Sequence, residues 1–163
     1  MTRFSLLFVL TAAMVLSACT DRFGGPGAGA AGSAAGSASD PSSPAYFQQS
    51  VGDRVLFAVD ESTLNAAARA TLSAQADWLK ANRMFTAVIE GHADEQGTRE
   101  YNLALGARRA SAAQEFLIAQ GVAPDRLRIL SYGKERPIEV CSTESCYAQN
   151  RRAVTVLATG AGA

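Results

Sequence analysis

Hydrophobic and polar positions divide the chain into three stretches. The first, Phe4 to Leu16, is apolar except for Ser5 and Thr11 and follows Arg3. Thirteen helical residues at 1.5 Å each cover only about 20 Å of a roughly 30 Å hydrocarbon core, so this run is too short to span a bilayer. A basic start, a short apolar core and small residues beyond it describe a secretory signal peptide over residues 1–18. The second stretch, residues 24–45, holds 6 Gly, 7 Ala, 5 Ser, 3 Pro and Asp40. It has no large side chain to bury and pays a high backbone entropy on folding, which predicts a disordered tether over 19–45. Gly27-Ala28-Gly29-Ala30-Ala31-Gly32 spells G-x-G-x-x-G, but no strand precedes it and no periodic helix follows, so it reads as composition and not as a nucleotide loop.

The third stretch alternates between strand and helix periods. Arg54 to Ala58 reads as a strand, and Asp60 to Thr63 supplies turn and capping residues for a helix over Asn65 to Ala81. That helix has an apolar stripe at Ala68, Leu72, Ala76 and Leu79. Thr86 to Glu90 reads as a second strand stopped by Gly91. The polar loop 91–100 follows, then a helix over Glu100 to Gln120 with Ala110, Ala113 and Leu117 on one face and Gly121 as its cap. Leu127 to Tyr132 and Ala153 to Ala158 are further strands. The order β-α-β-α-β-β predicts an α/β (α+β sandwich) fold over 46–158, a mixed sheet with helices on one face, in which the last short connection allows an antiparallel neighbour. Residues 159–163 read as a flexible tail.

Charge narrows the function. Fifteen basic residues balance fifteen acidic ones over 163 residues, with one His. Without a basic excess to neutralise phosphates, a sequence-independent grip on nucleic acid is excluded. Catalytic signatures are absent: there is no G-x-S-x-G and no H-E-x-x-H, and a hydrolase triad would have to be built on His92 alone. Cys141-x-x-x-x-Cys146 lacks zinc spacing and further ligands, so no metal and no cofactor is expected. Leu16-Ser17-Ala18-Cys19 resembles a bacterial lipobox, which implies cleavage before Cys19 and acylation of Cys19; two or more chains anchor a protein stably. With Cys19 acylated, an even pair remains in an oxidising compartment, and we expect a Cys141–Cys146 disulfide; closing its six-residue loop contributes about 2 kcal/mol.

Four motifs lie in order: Gly91-His92-Ala93-Asp94-Glu95-Gln96-Gly97-Thr98 with Glu100-Tyr101-Asn102; Leu105-Gly106-x-Arg108-Arg109-Ala110; Ser131-Tyr132-Gly133-Lys134-Glu135; and Asn150-Arg151-Arg152-Ala153-Val154. Together they resemble the OmpA-like peptidoglycan-binding domain, over nearly all of residues 50–158. The resemblance implies an outer-membrane lipoprotein with its body in the periplasm, no enzymatic activity, and non-covalent binding to the diaminopimelate of the peptidoglycan stem peptide. It also implies a role in envelope integrity and cell division, with TolB and its associated Tol components as partners. The free end of diaminopimelate is a zwitterion and needs one acid and one base. Asp94 is assigned to the ammonium and Arg109 to the carboxylate, since guanidinium can donate two parallel hydrogen bonds. Asn102, Leu105 and Arg109 share a helix face at spacings of 3 and 4. Asp60 and Arg151 are carried over from the family as polar wall residues. A peptidoglycan hydrolase, an OmpA-like lipoprotein working outside the Tol system and a lipoprotein that binds only protein stay open as alternatives.

Overall fold

The computed structural model describes residues 37–159. The expected signal peptide, Cys19, most of the expected tether and residues 160–163 of the expected tail lie outside the described residues, while Thr159, read as the first tail residue, ends the last strand. Among the described residues no helix is long and apolar enough to cross a membrane.

The elements run α1 (Pro44–Tyr46), continuing as a π turn Phe47–Gly52; β1 (Arg54–Leu56); α2 (Ala66–Ala81); β2 (Phe85–His92); α3 (Arg99–Ala119); a 3-10 turn Pro124–Arg126; β3 (Leu127–Gly133); α4 (Glu144–Asn150); and β4 (Arg152–Thr159). The packed chain extends N-terminal of residue 46, into the stretch whose composition suggested a tether. Ser43 caps α1 by accepting from the Tyr46 N–H, and the Trp78 indole donates to the Pro41 carbonyl at 2.7 Å. An acceptor offered to a buried indole orders residues that have no large side chains of their own.

Both long helices bury the stripes that their spacing predicts. Ala68, Leu72, Ala76 and Leu79 of α2 and Ala110, Ala113 and Leu117 of α3 face Ala87 and Ile89 of β2 in one core, closed by Phe47, Trp78 and Phe85. Ring centroids in that aromatic cluster lie 4.9 and 5.2 Å apart. The α2 cap is Asn65, whose Oδ1 accepts from the Ala68 N–H at 2.8 Å, and not a residue of 60–63. Thr98 caps α3 in the same way through the Tyr101 N–H.

The sheet order is β1-β4-β2-β3, with β4 antiparallel to both its neighbours and β2 parallel to β3. The sheet is mixed, as the strand and helix order predicts, but two expectations change. β1 and β2, joined by a crossover helix, do not pair, because β4 fills the slot between them. The connection before β4 is also not short: residues 134–151 include α4, which is long enough to carry the chain from the edge strand β3 past β2. α4 escapes a periodicity reading because its seven residues, Glu144–Asn150, hold no apolar stripe. Cys141 and Cys146 are joined by a disulfide at its N-terminal end, with Cα atoms 5.9 Å apart. Asn150 closes the same connection, accepting from the N–H groups of Ile138 and Glu139 and donating to the Glu139 carbonyl.

Gly91 does not stop β2, which continues to His92. A Cβ on Gly91 would stand 1.8 Å from the Gly106 carbonyl oxygen, so the backbones of β2 and α3 touch at this glycine pair. That contact sets the height of α3 above the sheet, and with it the position of every side chain α3 presents at the carboxyl end of β2.

Candidate functional site

A cavity of about 300 Å³ opens where β2 ends, between the β1–α2 loop and the first turns of α3. Asp60, Asp94, Gln96, Tyr101, Asn102 and Leu105 line it. Four of the six residues named for binding therefore meet in one place, and two do not reach the lining.

Asp94 stands in the loop that follows β2, and this loop is held from three sides. The Ala93 N–H donates to the Gly133 carbonyl, Lys134 Nζ donates to the carbonyls of Glu95 and Gly97, and Asn102 Nδ2 donates to the Gln96 carbonyl at 2.7 Å. Gly97, at φ +89, takes the left-handed turn that brings the chain to the Thr98 cap. Asp94 is 8% exposed. Its Oδ1 accepts from the Gln96 N–H and its Oδ2 from Arg151 Nη1 at 3.0 Å. Arg151 is itself buried; it donates to the Phe57 carbonyl and to both carboxylate oxygens of Glu144 on α4. Burial weighs against its charge, but Glu144 and Asp94 more than offset this and raise its pKa above the ordinary arginine value.

Arg109, assigned from sequence to a ligand carboxylate, is turned toward the protein. It is 0% exposed, and its Nε, Nη1 and Nη2 donate to the carbonyls of Glu61, His92 and Ala58 at 2.7, 2.9 and 3.1 Å. The guanidinium also lies 5.3 Å from the centroid of the Phe57 ring. Burial pushes its pKa down to about 10, against the attraction of Asp94, so it remains a cation at neutral pH. Arg109 is thus the post that ties the β1–α2 loop to the end of β2. Three of its five donors are committed, leaving one N–H on each terminal nitrogen.

Asp60 lies in that loop at φ +60, a left-handed conformation that costs a non-glycine residue energy and that Asp tolerates better than most. Its carboxylate accepts the Tyr101 hydroxyl, a contact that crosses the mouth of the cavity from the loop to α3. The bond to Asp60 raises the Tyr101 pKa, so the phenol stays protonated. Tyr101 and Gln96 were not assigned by sequence reasoning. Tyr101 did carry a signal, since it precedes Leu105 by four positions and so shares its helix face. Glu144, the second partner of Arg151, carried none, because nothing in the spacing links α4 to the β2 loop.

Electrostatically the lining offers carboxylates, with the cations of Arg109 and Arg151 behind it. Such a site accepts an ammonium first and a carboxylate only at depth. Among the described residues no group of three or more His, Cys, Asp or Glu side chains is placed to hold a metal. His92 lies on the sheet face away from this cavity, stacked on Tyr132, and is 2% exposed. Arg152, next to Arg151, likewise turns away, donating to the carbonyls of Asn150 and Arg136.

Comparison with known proteins identifies the family. Residues 56–151 match the model of the OmpA family. The chain is 48% identical to a peptidoglycan-associated lipoprotein of Mesorhizobium japonicum, over 99% of this chain and 96% of that one. It is 54% identical to the protein of that name from Brucella melitensis, over 77% of this chain and 74% of that one. The crystal structure of the peptidoglycan-associated lipoprotein from Burkholderia pseudomallei superposes with a TM-score of 0.66 at 36% identity, covering 74% of this chain and 98% of that one. The chain belongs to the OmpA family, among its peptidoglycan-associated lipoproteins.

Proposed function

We propose that this chain is a non-enzymatic outer-membrane lipoprotein, acylated at Cys19, whose periplasmic body holds peptidoglycan non-covalently through the diaminopimelate of the stem peptide. The observation that carries this reading is Asp94: a nearly buried carboxylate, oriented by Arg151 and the Gln96 N–H, in the wall of a cavity large enough for an amino-acid head. Asp94 accepts the ligand ammonium, Asn102 and Leu105 form the polar and apolar walls, and Asp60 closes the mouth with Tyr101. The ligand carboxylate takes the uncommitted N–H groups of Arg109, reached when the Asp60–Tyr101 contact opens. Arg151 acts through Asp94, holding its carboxylate aimed into the cavity. The names of the relatives, each a peptidoglycan-associated lipoprotein, support peptidoglycan as the partner.

On this reading the protein works with TolB and the other Tol–Pal components, linking outer membrane to cell wall and supporting envelope integrity and outer-membrane invagination in division. Co-sedimentation with purified sacculi tests the binding site. Asp94→Ala should weaken it by about 2 to 5 kcal/mol, the usual cost of removing one member of a desolvated charge pair, while the circular dichroism spectrum is kept. Walls carrying lysine in place of diaminopimelate should retain little of the wild-type protein. Full retention of the folded Asp94→Ala variant, or equal retention on both kinds of wall, would refute the assignment.

A further inference from the structure

The opposite end of β2 carries a second recess of the opposite charge. β2 has eight residues, so roughly 23 Å of strand separates its start at Phe85 from the acidic cavity at its finish. Beside that start lies a cavity of about 270 Å³ lined by Lys80, Arg83, Gly121, Ala123 and Arg126. Every ionisable side chain of the lining is a cation. Arg126 is fixed in place, its Nε and Nη2 donating to the Phe85 carbonyl at 3.0 and 2.6 Å and its Nη2 also to that of Asn82. Lys80 and Arg83 are exposed, Lys80 with Asp77 alongside at 2.9 Å in a surface pair that holds it weakly. Met84, next to Arg83, is 73% exposed, an apolar tip beside the cations.

The chain enters the body at this same end. Trp78, which holds the entering segment at the Pro41 carbonyl, packs against Phe85, whose own carbonyl holds Arg126. Ser37, the first described residue, follows Cys19 by eighteen positions, a length that even fully extended spans no more than about 65 Å. An acyl chain at Cys19 therefore keeps the basic end within reach of the bilayer, where even a weak contact is populated.

We propose that this end is a docking surface for the phosphate headgroups of the anionic bilayer to which the chain is tethered. Lys80 and Arg83 pair with phosphates around the fixed charge of Arg126, and Met84 enters the boundary between headgroups and acyl chains. The proposal rests on acylation at Cys19. Docking in this way turns the acidic cavity away from the membrane, toward whatever lies on the other side of the body.

The test uses the chain from Cys19 onward with Cys19→Ser, which removes the acylation site, sedimented at low salt with vesicles of phosphatidylcholine alone or with phosphatidylglycerol added. The protein should pellet with the anionic vesicles only. Partitioning should fall about fivefold for each of Lys80→Ser and Arg83→Ser, and inorganic phosphate at constant ionic strength should not displace the parent protein. Equal pelleting of the double variant and its parent, equal pelleting with neutral vesicles, or displacement by inorganic phosphate would overturn the proposal. Sacculus binding by the same variants should be unchanged. Membrane fractionation of the chain with Cys19 intact reads the anchor separately, so failure of the anchor and failure of the docking surface give different results.

Discussion

Arg109 and Arg151 are buried arginines behind one cavity, and their partners give them different tasks. Arg151 faces carboxylates, so it orients a charge that the ligand uses. Arg109 faces three backbone carbonyls, so its loss orphans three acceptors as well as opening a hole. Arg109→Ala should destabilise the domain by about 3 to 5 kcal/mol, read as a lowered urea midpoint, and its loss of wall binding will then reflect a disordered β1–α2 loop as well as a missing ligand contact. A midpoint within about 1 kcal/mol of wild type would show that the carbonyl contacts carry little. The spacing of Asn102, Leu105 and Arg109 made their common face legible, but a face says nothing of depth, and only the tertiary path of residues 58–61 over α3 buries the guanidinium. His92 is the other buried ionisable residue whose environment sets a prediction. Burial, then Arg152 and Arg136, push its pKa down to about 4 from 6.5. The unfolded chain therefore binds a proton between those values and the native state does not. The shift costs nothing above about pH 6.5, and the cost grows as pH falls toward 4. Between pH 7.5 and 4.5 the wild type should lose about 2 to 3 kcal/mol more stability than His92→Gln, by urea unfolding of both at each pH. Parallel losses in the two proteins would mean that His92 is solvated.

At the scale of elements, the meeting of β2 and α3 controls the site. Gly91 and Gly106 allow the two backbones to touch, and a methyl at either position meets backbone or the Ser131 hydroxyl well inside contact distance. Gly91→Ala should lift α3 from the sheet, destabilising the domain by about 3 kcal/mol or more and carrying Asn102 and Leu105 away from Asp94. Thermal unfolding and sacculus binding should both fall, and a variant with wild-type values in both would show that the helix can shift without cost. Gly91 invited a reading as a strand stop because glycine weakens strands when seen locally; its reason here is a neighbour fifteen positions away. Although their caps, Asn65 and Thr98, did not stand out from the neighbouring polar residues, the two long helices were legible because their apolar stripes recur at spacings of 3 and 4. α4 and the slot occupied by β4 were not. One is too short for a period, and the other depends on which edges remain free after β1, β2 and β3 have formed, a choice made by packing and not by local pattern.

For the whole molecule, the sheet sets a polarity, with the chain entering beside Trp78 at one end and the acidic cavity opening at the other. Composition placed the body's start at residue 46 because residues 24–45 contain nothing to bury; it could not show that a side chain 37 positions further on offers a hydrogen bond to Pro41. That contact is open to test because Trp78 is the only tryptophan in the chain. Deleting residues 20–41 removes the acceptor of a buried indole N–H and uncovers one edge of the Phe47, Trp78 and Phe85 cluster. An unsatisfied buried donor costs about 1 to 3 kcal/mol, so the urea midpoint should fall by that amount and the tryptophan emission should shift to the red as water reaches the ring. Trp78→Phe in the undeleted chain separates the two contributions, since it removes the donor while leaving an aromatic ring to pack, and returns the Pro41 carbonyl to solvent; its loss should differ from that of the deletion. Unchanged emission and an unchanged midpoint after the deletion would mean that residues 37–43 only rest on the body, and that the lipid tether effectively begins at α1.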